Sequence, residues 1–307
     1  MSKVFTIASL FSGAGGMDIG FRDAGFDVVW ANDIDKDACE THRRWSSSEV
    51  VCSDVALLDP ARMPKTDVIT GGFPCQGFSL AGPRKVDDSR NILYKHFIRC
   101  VDHHKPLAFV AENVKGILTL GDGQVMRCIQ DEFADKGYDV VYEPLNASDY
   151  CVPQDRHRVI IVGVRRDLGV SFSFPTPYAE VMTMHETIGH LPSPDESDVC
   201  MQPYSSRYMS RNRRRGWDEP SFTIPAMAKQ APLHPSSPPM SYVEKDKWRF
   251  GDGVTRRLSW IESALIQTFP DGMYFCGDLT SKYKQIGNAV PPRLAKIVAM
   301  GMLKCLL

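Results

Sequence analysis

The chain of 307 residues contains no run approaching the ~20 apolar residues that span a bilayer, and its first residues carry no signal-peptide hydrophobic stretch. Membrane insertion is therefore not expected. Nine cysteines is an odd number, none form a Cys-x-x-Cys pair, and the eight histidines are scattered. That pattern argues against a disulfide scaffold and against a metal site, and a reducing cytosol is the expected compartment. Net charge is only −1, which argues against a wholesale polyanion binder. The distribution of charge says more. Arg207, Arg211, Arg213, Arg214 and Arg215 lie between Tyr204 and Trp217 with no acid in between, and Lys245, Lys247, Arg249, Arg256 and Arg257 follow. A basic face on a neutral protein points to nucleic acid.

Residues 1 to about 172 alternate strand-like and helix-like segments. Val4 to Leu10 reads as a buried strand, followed by a glycine-rich turn and a helix from about Met17 to Asp23. Asp27 to Ala31 is a second strand ending at Asn32-Asp33. Further strands are expected at Asp67–Thr70, Leu107–Glu112, Tyr138–Leu145 and Val159–Val164, with helices at Leu93–Asp102 and Val125–Lys136. Repeated strand–helix units predict an α/β fold with a mostly parallel sheet covered on both faces. The texture changes near Ser173: eleven of the chain's 21 prolines fall between there and Met240. Interspersed aromatic residues argue for a second, smaller, loop-rich domain and not for disorder. Ser259 and Glu262 have capping-box spacing, and Pro291-Pro292 opens the last helix.

Four constellations carry chemistry. Phe11-Ser12-Gly13-Ala14-Gly15-Gly16 joins the first strand to the first helix, where bare backbone lets a ligand approach. Asp33 at the second strand's end is placed to accept from ribose hydroxyls, and Asp54 from an adenine amino group. Each acid alone reads equally well as a cap. Gly71 to Ser79 places Cys75 behind Pro74 at a strand's carboxyl end, as a presented nucleophile or, more blandly, a buried thiol. Glu112 ends an apolar strand, where a carboxylate is costly to desolvate unless partnered, which suits a group that must hold a proton. In Gln154-Asp155-Arg156-His157-Arg158, alternation puts Arg156 and Arg158 on one side, suited to a carbonyl oxygen or phosphate.

In this order, together with Arg256-Arg257-Leu258-Ser259 and Gln285 to Pro291, these motifs resemble the DNA (cytosine-5)-methyltransferase family over nearly the whole chain. The resemblance implies a Rossmann-like S-adenosylmethionine-dependent methyltransferase fold, with residues 1–172 and 276–307 catalytic and 173–275 forming a target-recognition domain. It implies that Cys75, Glu112, Arg156 and Arg158 are catalytic. It implies S-adenosyl-L-methionine bound by Phe11, Ser12, Gly13, Gly15, Asp33, Ile34, Asp54, Val55, Pro74, Leu93, Asn288 and Val290, and no metal. Double-stranded DNA is the implied partner of a monomer, with contacts from Gln76, Ser79, Arg211, Arg213, Arg215 and Thr223. Association with the nucleoid follows, as does a cognate restriction endonuclease that is a functional and not a physical partner. Met209 to Arg213, Trp217 to Thr223 and Leu233-His234-Pro235 are most similar to the HaeIII-type branch, which methylates the inner cytosine of GGCC. Transfer-RNA cytosine methyltransferases of the same superfamily carry Cys-Phe-Thr where this chain has Ser221-Phe222-Thr223, which favours DNA. An inactive nucleic-acid-binding homologue would have no use for the intact cysteine, glutamate and arginine sets.

Overall fold

The computed structural model describes residues 3–74 and 92–307. In chain order its elements are β1 (Thr6–Leu10), α1 (Gly16–Asp23), β2 (Asp27–Asp33), α2 (Lys36–Trp45), β3 (Glu49–Cys52), β4 (Val68–Gly71), α3 (Ile92–His104), β5 (Ala108–Val114), α4 (Gln124–Asp135), β6 (Tyr138–Asn146), β7 (Gln154–Asp155) and β8 (His157–Arg165). There follow α5 (Met184–Ile188), β9 (Ser221–Phe222), β10 (Ser241–Glu244), β11 (Lys247–Arg249), α6 (Trp260–Ile266), α7 (Leu279–Asn288) and α8 (Pro292–Leu306), with short 3-10 turns between elements.

Seven strands form one sheet in the order β3-β2-β1-β4-β5-β8-β6. β1 pairs parallel with β2 and β4, β2 with β3, and β4 with β5, while β8 runs antiparallel to β5. The order reverses between β1 and β4, and sheets of this kind open a crevice there, beyond the strands' carboxyl ends. The strands are apolar because helices cover both faces: every residue of β4, and β5 from Ala108 to Asn113, is buried. Phe109 and Phe133 stack with centroids 4.0 Å apart, and Phe97 meets both edge-on. The α/β architecture with a mostly parallel sheet is thus the one the strand–helix alternation predicts. What alternation does not reveal is the reversed direction of β8.

The chain divides into two compact units, one of residues 1–145, 157–176 and 295–307, the other of residues 146–156 and 177–294. Residues 146–156 and 276–294 cluster with the second unit, whereas sequence texture groups the first stretch, and the family resemblance the second, with the sheet. The reason is polar. Buried Gln154 donates to Gln267 Oε1 and accepts the Ile224 N–H at 2.8 Å, and Gln267 donates to the Ala289 carbonyl at 2.6 Å.

The second unit has little regular structure, and arginines meet carbonyls that no strand ladder reaches. Arg213 donates to the Tyr208 and Arg207 carbonyls, Arg214 to Ser237 and Pro235, and Arg257 to Cys200 and Gln202. α6 begins with the capping box foreseen: the Ser259 hydroxyl accepts from the Glu262 N–H, and the Glu262 carboxylate from the Ser259 N–H. Arg256 grips the same carboxylate in a fork at 2.7 and 2.8 Å.

Burial alone would raise the Glu262 carboxyl, but the Arg256 fork and the Ser259 N–H hold it below its ordinary 4.5. A lowered carboxylate stabilises the fold above its unfolded value and stops doing so as pH falls through the folded one. Glu262→Gln is therefore expected to cost about 3 kcal/mol at pH 7, as breaking a buried pair does. The difference from wild type should shrink below pH 4.5, as read by urea denaturation across pH.

Candidate active site

The carboxyl ends of β1 and β2 are joined through the glycine turn. Phe11, Gly13 and Gly15 all have left-handed φ, at 54°, 54° and 86°. The Gly13 N–H donates to Asp33 Oδ2 at 2.7 Å, the Asp35 N–H to Asp33 Oδ1 at 2.8 Å, and the Ser12 N–H to the Asn32 carbonyl at 3.0 Å. Burial pushes the Asp33 carboxyl up, and the Asp35 and Gly13 N–H bonds pull it back. Asn32 is buried and fastens β2 to β3, donating to the Val51 and Ser53 carbonyls at 3.0 and 2.9 Å. Ile34 beside Asp33 is 67% exposed, an aliphatic side chain at a strand end with its face open. Asp54 caps the turn Val55–Leu57 through the Ala56 N–H, with Val55 buried and Leu93 half-buried against the core.

A second group gathers where β4 and β5 end. Glu112 on β5 and Arg158 on β8 lie on adjacent antiparallel strands, with Arg158 opposite Val114. Arg158 Nε stands 2.7 Å from Glu112 Oε1, the two side chains 15% and 11% exposed. Asn113 next to Glu112 is buried and donates to the Phe73 carbonyl at 2.9 Å. That bond holds the strand-exit segment Gly72–Pro74 beside Glu112; a Cβ on Gly72 would lie 3.5 Å from Glu112 Oε2. Pro74 is exposed, and Cys75, Gln76 and Ser79 lie outside the described residues.

Three arginines stand otherwise than the sequence suggests. Arg156 is 1% exposed and belongs to the second unit, donating to the Ile224, Gly287 and Ala289 carbonyls at 3.2, 2.9 and 2.9 Å. Strand alternation fails there because the two-residue β7 ends at Asp155 and β8 begins at His157. Gly287 allows the close approach: a Cβ there would collide with the backbone of Pro225 and Ala226. Arg213 is 6% exposed, held by the Tyr208 and Arg207 carbonyls and Gln230 Oε1. Arg215 pairs with Asp155 Oδ2 at 2.6 Å, donates to the Pro220 carbonyl and lies over the Phe222 ring. Both serve the fold of the second unit. Arg207 and Arg211 are exposed, and so is Thr223, whose hydroxyl donates to the Asp155 carbonyl. Asn288 ends α7 in the open and Val290 is buried, both in the second unit.

Sequence reasoning passed over the seat of the glycine turn. Trp45 Nε1 donates to the Ala14 carbonyl at 2.9 Å, His42 stacks on Trp45 with centroids 4.7 Å apart, and His42 faces Asp18 at 3.6 Å. The readable signal was His42 and Trp45 at i, i+3 on α2. Among the described residues no His/Cys/Asp/Glu group could hold a metal ion, and no helix is long and apolar enough to cross a membrane.

The profile of the C-5 cytosine-specific DNA methylases matches residues 5–304. The chain belongs to that family. It is a DNA cytosine-5 methyltransferase. It is 43% identical to Type II methyltransferase M.BsuRI of Bacillus subtilis, across 95% of this chain and 78% of that one. To Type II methyltransferase M.MthTI of Methanothermobacter thermautotrophicus it is 40% identical, across 95% of each. Among solved structures, a prophage-encoded Escherichia coli chain is 25% identical with TM-score 0.77, covering 98% of this chain and 99% of that one. Spodoptera frugiperda DNMT2 is 17% identical with TM-score 0.73 at the same coverage. The strand-end cradle of the methyltransferase fits a nucleoside-bearing methyl donor. It offers bare backbone at Gly13, where an added Cβ meets nothing within 4 Å, a carboxylate at Asp33 and the open face of Ile34.

Replacing Arg156 by Met should leave three carbonyls without their charged donor and destabilise the protein by about 3 kcal/mol or more. Chemical denaturation checks this. A variant of wild-type stability whose only defect is catalytic would restore Arg156 to the reaction.

Proposed function

We propose that this methyltransferase modifies the inner cytosine of GGCC in duplex DNA, through a covalent bond from Cys75 to carbon 6 of an extruded base. The observation that carries the chemistry is the Glu112–Arg158 pair at 2.7 Å, beside the segment Gly72–Pro74 that leads into Cys75. Carbon 5 of cytosine is too poor a nucleophile to take a methyl group unaided. Addition of the Cys75 thiolate to carbon 6 turns the ring into an enamine and places electron density on carbon 5. Glu112 hydrogen-bonds at N3, which takes a proton from solvent by way of Glu112 as sulfur adds and gives it back when sulfur leaves. Arg158 holds the Glu112 carboxyl in place and favours the charge that grows on the O2 side. S-adenosylmethionine, when bound, supplies an electrophilic methyl group. A water then takes the proton from carbon 5, the carbon–sulfur bond breaks, and the ring double bond returns. A duplex hides carbon 6, so the base must leave the stack, at a cost of roughly a few kcal/mol.

The donor is assigned to the glycine turn with Asp33, Ile34, Asp54, Val55, Pro74 and Leu93, and to Asn288 and Val290. Residues 173–275 are assigned to target recognition, and the protein to action as a monomer in a restriction–modification system. GGCC rests on the similarity of Met209 to Arg213 and Trp217 to Thr223 to HaeIII-type enzymes. A guanidinium suits guanine O6 and N7, and of Arg211, Arg213 and Arg215 the exposed Arg211 is the one assigned to base reading. Gln76, Ser79 and Thr223 complete the assigned DNA contacts.

Bisulfite sequencing of plasmid DNA from cells expressing the chain should show methylation at GGCC. Methyl label passing to transfer RNA alone would reverse the choice of substrate. Cys75→Ala should abolish turnover and the trapped adduct with 5-fluorocytosine DNA while leaving DNA binding; methylation surviving that change would overturn the covalent route. Arg211→Ala should weaken binding to the specific site by about 1–3 kcal/mol without lowering the melting temperature. An equal loss on every DNA sequence would make Arg211 a phosphate contact.

A further inference from the structure

The glycine turn rests on a buried polar cluster for which the proposed reaction has no use. Asp18 in the first turn of α1 and His42 on α2 are both fully buried, with Nε2 3.6 Å from Oδ2. His42 lies flat on Trp45, the planes 8° apart, and the Trp45 indole donates to the Ala14 carbonyl. Gly15 fills the space above: a Cβ there would collide with the Trp45 ring and lie 3.2 Å from His42 Cε1. The turn that carries Phe11, Gly13 and Gly15 thus sits directly on this platform. Around it stand Ser9 on β1, Arg22 over the Trp45 ring, Arg43 next to His42, and Asp33, which takes the Gly13 N–H.

We infer that Asp18 and His42 are positioning residues for the methyl-donor site, sharing one proton whose loss unseats the glycine turn and weakens donor binding. The inference rests on the reading of this turn as the donor cradle. With one proton between them the pair carries no net charge, whichever group holds it. Without that proton a bare carboxylate remains in a closed space away from water, which is costly unless the surroundings move. Burial pushes the Asp18 carboxyl up to about 7 and the His42 imidazole down to about 4, so the proton resides on Asp18 and leaves near neutrality. Because the Asp18 carboxyl is raised, its stabilisation of the seated turn is complete at low pH and is lost as pH rises through neutrality.

The test is calorimetric titration of the full chain with S-adenosylmethionine from pH 6 to 9, comparing wild type with Asp18→Asn, which keeps shape and hydrogen bonding but cannot lose the proton. The donor's own amino group titrates in this range, so the quantity read is the ratio of the two dissociation constants, in which that effect cancels. The ratio of wild type to variant should climb above neutral pH with a one-proton slope, up to about tenfold per pH unit. A ratio constant from pH 6 to 9 would overturn the inference. Should Asp18→Asn not fold, Asp18→Ser, which also removes the titrating carboxyl, is read in the same way: a pH profile identical to wild type overturns the inference. Wild type failing to bind the donor at any pH would instead sink the reading of the cradle itself.

Discussion

A backbone carbonyl at the end of a buried strand needs a donor, and two asparagines provide it. Parallel strands stop pairing at their carboxyl ends just where the crevice opens, so polar groups there cannot all be met by the ladder. Asn32 donates to the carbonyls of Val51 and Ser53, and Asn113 to that of Phe73. The first bond fixes the end of β2 against that of β3, and so places Asp33 and Asp54. The second fixes the exit of β4 against the end of β5, and so places Gly72 beside Glu112. The first unit's candidate chemistry therefore hangs on two amides next to the acids that carry it.

The second unit solves the same problem differently. Loops leave many carbonyls without a ladder partner, and a guanidinium offers five N–H donors in a fixed fork. Arg156, Arg213, Arg214 and Arg257 each donate to two or more carbonyls. Arg257 in addition lies over the Tyr204 and Tyr208 rings, which offer a cation their faces. The arginine-rich segment is thus partly a scaffold. Its exposed members are Arg207 and Arg211.

Local signals in the sequence were legible where local physics decides. The apolar runs of β1, β4 and β5, the capping box at Ser259 and Glu262 and the proline that opens α8 all form as their residues predict. The direction of β8 was not legible, because pairing with β5 is a long-range choice that its own apolar run does not encode. Nor was the fate of the arginines. Arg211 and Arg213 are two residues apart and chemically identical, yet one is exposed and the other buried against Tyr208. Only the path of the chain around Tyr208 and Gln230 separates them. For the same reason Gln267 could not be singled out, since its partners Gln154 and Ala289 are remote in sequence.

The Asp18–His42 pair shows why a polar group is tolerated under so plain a motif as a glycine turn. An apolar filler of the same volume would be at least as stable, since buried ion pairs rarely outperform well-packed hydrophobic replacements. What the pair adds is dependence on a proton. The turn it supports is bound to β2 through the Gly13 N–H and Asp33, so a shift of the platform reaches the acid expected to hold the donor's ribose. Asp33 is itself raised by burial and restrained by the N–H groups of Asp35 and Gly13. Unseating the turn would remove the Gly13 bond and leave that carboxylate costlier to keep charged. The two acids are in this way coupled through one backbone N–H, and the coupling acts where a methyl donor would lie against bare backbone.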